Sequence, residues 1–230
     1  MRISGLQKAT LLDYPGKVAA TVFTGGCNFR CPYCHNASLI EPAPNAPGMD
    51  EEEIFDFLAK RKGLLDGVCV SGGEPLLQRE LEPFLRRVKD LGYLVKLDTN
   101  GSNPAKLRRI IEAGLADFVA MDLKHAPAKY ALAAGVDADV LPAVRESVSY
   151  LMTAPVEVEF RTTLVRSLHT ADDVAAIARW IAGAPRYFLQ NFEDSQGVLR
   201  PGLAGFAPEE LAAFLQAAQA FVPAAQLRGA

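Results

Sequence analysis

GVCVSGGEPLLQRELEPFLRRVKDLGYLVKLDTNGSNPAKLRRIIEAGLADFVAMDLKH, residues 67–125, carries the pattern that decides the fold. Short β-type apolar runs at 67–71, 94–99 and 118–121 alternate with longer stretches, 79–91 and 104–113, whose apolar residues recur at helical spacing. Working outward, the same alternation predicts strands at 18–24, 156–164 and 187–190 and helices at 142–152, 171–182 and 208–221. A further helix runs from an Asp50 N-cap to about residue 62, with Glu51, Glu52 and Glu53 in its first turn, where the helix dipole favours them. Repeated strand–helix units call for a parallel sheet with helices outside, so the chain is predicted to be α/β, a partial (β/α)6 barrel. It reads as a single domain over 1–230, with a core at about 16–192 and a 193–230 C-terminal extension carrying one helix. The last eight residues are expected to fray.

Composition supports a packed domain. Of 230 residues, 50% are apolar and 22% charged, too apolar for a disordered chain. The formal charge of −3 gives no basic excess that would announce nucleic acid or an anionic membrane. The basic clusters at 60–62, 86–87 and 108–109 read as solvated helix faces. No apolar run approaches the ~20 residues of a membrane span, and residues 1–17 lack the apolar stretch of a secretory signal, so a cytoplasmic protein is expected.

In parallel α/β sheets, sites gather at the carboxyl ends of strands. The segments there read TGGCNFRCPYCHN, SGGEP, DTNGS, MDLKH, TTLVRS and QNFEDS, polar and glycine-rich for turns. Cys27, Cys31 and Cys34 form C-x3-C-x2-C in the first of them. Three soft thiolates in one short loop select zinc or an iron–sulfur cluster. A zinc knuckle would use His35 as its fourth ligand, but the second ligand pair that usually closes a zinc tetrahedron is missing. A four-iron cluster on three cysteines would leave one iron free to bind something else. Cys69, between Val68 and Val70, reads as a core cysteine, with a fourth-ligand role as the alternative.

CNFRCPYC, with an aromatic residue before its third cysteine, resembles the signature of the radical S-adenosylmethionine superfamily. TGGCNFRCPYCHN is similar to the glycyl-radical-enzyme activating proteins. GLQKATLLDYPGK, KRKGLLDGV, LDTNGSNP and AMDLKHAP are similar, within that group, to the activating proteins of anaerobic ribonucleoside-triphosphate reductase. The resemblance implies a barrel of the radical-SAM type, a 4Fe-4S cluster on Cys27, Cys31 and Cys34, and S-adenosylmethionine as co-substrate. It further implies that one electron, from a low-potential donor such as flavodoxin or ferredoxin, cleaves S-adenosylmethionine to a 5′-deoxyadenosyl radical. That radical would take a hydrogen atom from a glycine of the partner enzyme.

The resemblance also assigns the other strand ends. Main-chain groups of Gly72 and Gly73 would receive the amino group of S-adenosylmethionine, with Glu74 binding the ammonium or orienting the loop. Asp122 would take the amino group and Lys124 the carboxylate or ribose. Asp98 and Thr99 would help to bind the ligand, through a monovalent cation in one version. His35 is placed among the cofactor-binding residues, and Arg161 would either reach the ligand or pair with Glu157 or Glu159. Tyr33 and Phe192 are adenine-contact candidates, Phe192 standing where related formate-lyase activators carry a histidine. His169 reads as a surface histidine or a proton donor. Residues 5–17 and the proline-rich 41–48 loop are candidate docking surfaces. A radical enzyme acting on another glycyl-radical enzyme, or on a nucleoside or deazapurine, is the alternative; a zinc-stabilised binding module is the third reading.

Overall fold

The computed structural model describes residues 1–43, 48–195 and 197–229. One sheet of eight strands runs in sequential order: β1 (Ile3–Thr10), β2 (Ala19–Thr24), β3 (Gly67–Gly72), β4 (Leu94–Thr99), β5 (Phe118–Asp122), β6 (Glu157–Leu164), β7 (Tyr187–Asn191) and β8 (Ala225–Arg228). β1 pairs antiparallel with β2, and all later neighbours are parallel. The helices between them are α1 (Ala37–Ile40), α2 (Glu51–Ala59), α3 (Leu81–Asp90), α4 (Pro104–Glu112), α5 (Tyr130–Ala134), α6 (Leu141–Leu151), α7 (Ala171–Trp180) and α8 (Pro208–Gln219). Of the seven parallel strands, β2–β7 are the six expected of a partial barrel, and β8 is an addition at the edge.

Strand alternation divides the interior in two. Val68, Val70, Val95, Leu97 and Val119 join Leu81, Phe84, Leu85 and Val88 of α3 and Leu107 and Ile110 of α4 in the main core, all of them buried. The spacing of the α3 set, i, i+3, i+4 and i+7, puts all four on one helix face. The other sheet face is polar along its middle, where Thr21, Cys69 and Lys96 stand side by side in register on β2, β3 and β4. At the amino ends of the strands that face is filled by a small second core of Tyr14, Ala19, Phe118 and Ala120, with the Tyr14 and Phe118 rings edge to face at 5.8 Å.

Four elements escaped the sequence pattern: β1, β8 and the short helices α1 and α5. β1 mixes exposed polar with half-buried residues and pairs irregularly with β2, so it shows no clean alternation. β8 corrects the expectation of a frayed C-terminus. Its four residues bond to β7, and Arg228 holds the buried Glu159 of β6 through two contacts at 3.0 and 2.8 Å. The 5–17 segment comprises most of β1 and a turn that buries Tyr14 while leaving Leu11 and Leu12 exposed. Of the 41–48 loop, residues 44–47 lie outside the described residues. Lys60, Arg61, Lys62, Arg86, Arg108 and Arg109 are solvent-exposed, though 60–62 lie just past the end of α2, and Arg87 departs from the expectation, half-buried against Phe55 and paired with Glu51 and Glu52. No helix among the described residues is long and apolar enough to cross a membrane.

Candidate functional site

The carboxyl ends of β2–β7 open into a cavity of about 270 Å3, and each of the six strands or the loop after it contributes to its lining. Cys27, Cys31 and Cys34 come from the loop after β2, Ser71 and Glu74 from β3, and Asp98 and Asn100 from β4. Asp122 and Lys124 come from β5, Arg161 and Thr163 from β6, and Gln190 from β7.

The thiol loop is held by main-chain bonds to three other segments. Gly26 and Cys27 donate to Leu39 and Ile40 of α1 at 2.7 and 3.1 Å, and Arg30 donates to Ala134 at the end of α5 at 2.8 Å. Leu199 and Arg200 donate to Cys34 and Pro32 at 3.2 and 2.8 Å. Burial raises all three thiols, Cys31 to about 11, so the metal-free loop carries protons that metal binding must release. His35 does not join them as a fourth ligand: its Nε2 lies 2.8 Å from the Glu193 carbonyl and its ring stacks on Phe192. Among the described residues, no three Cys, His, Asp or Glu side chains converge on one ion position. Three thiols around one open cavity fit a polynuclear cluster better than a closed single-ion site. Cys69 does not line the cavity; it is fully buried on the polar sheet face, with Lys96 Nζ at 4.0 Å from its sulfur.

The glycines after β3 bring this loop against the thiol loop. A Cβ on Gly73 would stand 2.1 Å from the Gly26 carbonyl oxygen, and Gly72 has φ +112°. Neither position admits a larger residue. Glu74 is fully buried and accepts from Thr99 Oγ1 at 2.7 Å, the Asn100 N–H at 2.7 Å and the Leu76 N–H at 3.0 Å. Both carboxylate oxygens are therefore committed to neighbouring loops, which favours the orienting role of the two considered. Burial pushes Glu74 up to about 7 against the pull of those donors.

Opposite charges interleave across β4, β5 and β6. Arg161 Nε donates to Asp122 at 2.7 Å and its Nη1 to Asp98 at 3.3 Å. Lys124 reaches Asp122 at 3.1 Å, Lys96 bonds Asp98, and Ser71 donates to Asp98 at 3.0 Å. Burial alone would raise Asp122, but Arg161 and Lys124 outweigh it and hold the carboxylate well below its ordinary range. Lys124 stays charged for the converse reason, Asp122 overcoming its burial. The cavity lining thus presents both signs of charge, Lys124 and Arg161 against Glu74, Asp98 and Asp122, which suits a ligand that carries both. Asp98, one of the two candidate cation contacts, accepts from Lys96, Arg161 and Ser71. Arg161 pairs with Asp122 and Asp98 while still lining the cavity, and Glu159 is 3.9 Å away.

Most of the predicted site residues gather here: the three cysteines, Tyr33, His35, Gly72, Gly73, Glu74, Asp98, Thr99, Asp122, Lys124 and Arg161 all line the cavity. Phe192 does not. It is 2% exposed and packs on His35 with ring centroids 5.3 Å apart, so it backs that imidazole rather than offering a face to adenine. His169 is also placed differently, buried and stacked on His125. Sequence reasoning passed over Thr163 and Gln190. Thr163 stands two residues beyond Arg161 on the same strand face, and Gln190 opens a strand-end segment, so both signals were present.

Comparison with known proteins agrees with this arrangement. A putative glycyl-radical enzyme activating enzyme of Methanocaldococcus jannaschii is 34% identical over 198 residues, 83% of this chain and 80% of that protein. A pyruvate formate-lyase-activating enzyme of Clostridium pasteurianum is 35% identical over 129 residues, 54% of this chain and 52% of its own length. The crystal structure of Streptococcus suis SuiB bound to S-adenosylmethionine superposes with a TM-score of 0.70 at 11% identity, a likeness of fold, over 89% of this chain and 48% of SuiB. The chain thus spans about half the length of SuiB. The Radical SAM superfamily matches residues 21–181, the stretch that supplies all three clustered thiols and every carboxylate of the cavity. On that match, the chain belongs to the Radical SAM superfamily and is a radical-SAM enzyme.

Proposed function

We propose that this enzyme is an activase that uses S-adenosylmethionine to generate a glycyl radical on a partner enzyme, and that the partner is anaerobic ribonucleoside-triphosphate reductase. Superfamily membership implies a 4Fe-4S cluster and S-adenosylmethionine. The observation that carries the reading is the meeting, in one open cavity, of three clustered thiols with the Asp98–Arg161–Asp122–Lys124 charge cluster. The names of the Methanocaldococcus and Clostridium relatives support the activase class. The reductase rests on the similarity of GLQKATLLDYPGK, KRKGLLDGV, LDTNGSNP and AMDLKHAP.

Cys27, Cys31 and Cys34 would hold the cluster. When bound, the cluster supplies the single electron that splits the S–C5′ bond of S-adenosylmethionine. Asp122 would accept a hydrogen bond from the methionyl amino group, assisted by main-chain groups of Gly72 and Gly73. Lys124 and Arg161, charged on account of their carboxylate partners, would meet the carboxylate or ribose hydroxyls. Asp98 and Thr99 would complete that side of the ligand, and Tyr33 would lie against the adenine. Holding the ligand at both its charged ends would fix it against the thiol loop, beside the three cysteines that would carry the cluster. A glycine Cα hydrogen of the partner would then be transferred to the 5′-deoxyadenosyl carbon. A flavodoxin or ferredoxin would provide the electron.

Anaerobic reconstitution with iron and sulfide tests this. The enzyme should release 5′-deoxyadenosine only with reductant, and mixing it with the reductase should produce a glycine-centred doublet in electron paramagnetic resonance. Cleavage without the doublet would point to a different glycyl-radical enzyme or a small-molecule substrate. A purified protein holding one zinc and never cleaving S-adenosylmethionine would overturn the whole proposal.

A further inference from the structure

Two histidines outside the cavity lining, His125 and His169, stack with ring centroids 4.6 Å apart and planes 19° apart. His125 is fully buried and His169 is 2% exposed. Hydrogen bonds assign the His169 tautomer. The Val165 N–H donates to Nδ1 at 3.2 Å, so the ring proton sits on Nε2, which donates to the Lys124 carbonyl at 3.1 Å. Burial, followed by the adjoining His125 ring, lowers His169 to about 4, so the ring is neutral near pH 7. His125 Nε2 lies 2.9 Å from the Leu168 carbonyl and 3.8 Å from Asp173, which accepts from the N–H of the α7 N-cap Thr170 and pairs with Lys129. Its Nδ1 has no partner among the described residues.

The pair therefore ties the loop after β5 to the loop after β6 and the start of α7. A buried ring with an unpaired nitrogen is a costly way to fill space that two apolar side chains would fill freely. What the pair adds is directed bonding, and one of its bonds reaches a residue of the cavity. The Lys124 carbonyl accepts from His169 and also from the Tyr33 hydroxyl at 3.3 Å, so donors from two separate loops converge on a single atom. The ammonium of the same residue lines the cavity, 3.1 Å from Asp122.

We propose that His169 is a positioning residue for S-adenosylmethionine: its Nε2–H, with the Tyr33 hydroxyl, fixes the Lys124 carbonyl and so keeps the Lys124 ammonium in the cavity beside Asp122. The inference rests on the cavity being the S-adenosylmethionine site and is independent of which enzyme is activated. Two near-isosteres separate the bond from the bulk. His169→Gln keeps a donor where Nε2 stands and loses the Nδ1 acceptor; His169→Asn keeps a polar group near Nδ1 and falls short of the Lys124 carbonyl.

S-adenosylmethionine is titrated calorimetrically into each anaerobically reconstituted full-length variant, with iron content and melting temperature measured alongside. His169→Gln should bind within about threefold of the unmodified enzyme and His169→Asn about tenfold more weakly, the usual effect of losing one buried hydrogen bond. The two variants should match in iron content and melting temperature. Equal affinities for the two, whether both strong or both weak, would overturn the assignment, as would a loss that merely tracks iron content. Failure of the unmodified, iron-loaded enzyme to bind S-adenosylmethionine would instead remove the site reading beneath it.

Discussion

Replacing Asp122 with asparagine removes one negative charge and almost no volume. In the folded chain that carboxylate accepts from Arg161 Nε at 2.7 Å and Lys124 Nζ at 3.1 Å, and its side chain is 32% exposed toward the cavity. The amide oxygen can still accept from Arg161, and Asp98 remains as that guanidinium's second partner. Water reaches the position as well, so the fold should lose less than the ~3 kcal/mol typical of breaking a fully buried pair. The ligand should lose more in relative terms. The amide can still accept from the ligand's amino group but loses the charge assistance, about half of the 1.5–3 kcal/mol of a charged hydrogen bond, equivalent to about 3- to 12-fold in affinity. None of the three cysteines hydrogen-bonds Asp122, so cluster assembly should be intact. Calorimetry on anaerobically reconstituted Asp122→Asn should therefore show normal iron content and S-adenosylmethionine binding weakened within that range. Unchanged affinity would refute the ligand map, and loss of iron in parallel with affinity would show that Asp122 serves the loop rather than the ligand.

Three further outcomes are expected. Cys31→Ala should lose its iron after reconstitution, whereas Cys69→Ser, altering a residue outside the cavity, should keep iron near normal by colorimetric assay. Gly73→Ala forces a methyl group to within 2.1 Å of the Gly26 carbonyl, adjacent to Cys27, and should lower both iron content and S-adenosylmethionine affinity. Glu74 governs a pH dependence. Its carboxyl is raised from 4.5 to about 7, so between those values the folded state keeps a proton that the unfolded state has released. This carboxyl alone lowers stability as pH rises through that window, by ~3 kcal/mol at full effect, while the buried His169, lowered to about 4, raises it over nearly the same range. The Glu74 contribution is therefore read as a difference: in the metal-free, reduced protein, the urea midpoint of Glu74→Gln should gain on that of the unmodified protein as pH rises from 4.5 to 7, and a constant difference would refute it.

Much of the site was legible because strand ends concentrate function and the sequence marks them. The short β-type runs 94–99 and 118–121 end sharply enough to place Asp98 and Thr99 at the carboxyl end of the first and Asp122 and Lys124 just beyond the second. The thiol loop stood out through its spacing alone. What remained hidden depended on long-range geometry. β8 is too short, and β1 too irregular, to show a period, and each is held mainly by pairing with a neighbour. Phe192 follows β7 as expected, but its ring turns onto His35, which no local pattern discloses. Lys96 and Cys69 occupy apolar-looking strands, yet register brings them together on the polar sheet face. The His125–His169 stack joins residues 44 positions apart in two loops whose apposition exists only in the folded sheet.

The central claim is that three cysteine sulfurs leave a metal position for S-adenosylmethionine beside Asp122 and Lys124. A crystal structure grown without oxygen, from protein loaded with iron, sulfide and S-adenosylmethionine, tests it most directly. Cys27, Cys31 and Cys34 should each ligate a different iron of one cluster, with the methionyl amino and carboxylate groups on the fourth and the amino group within hydrogen-bond reach of Asp122. A protein side chain on that fourth iron, from His35, Cys69 or elsewhere, would contradict the account.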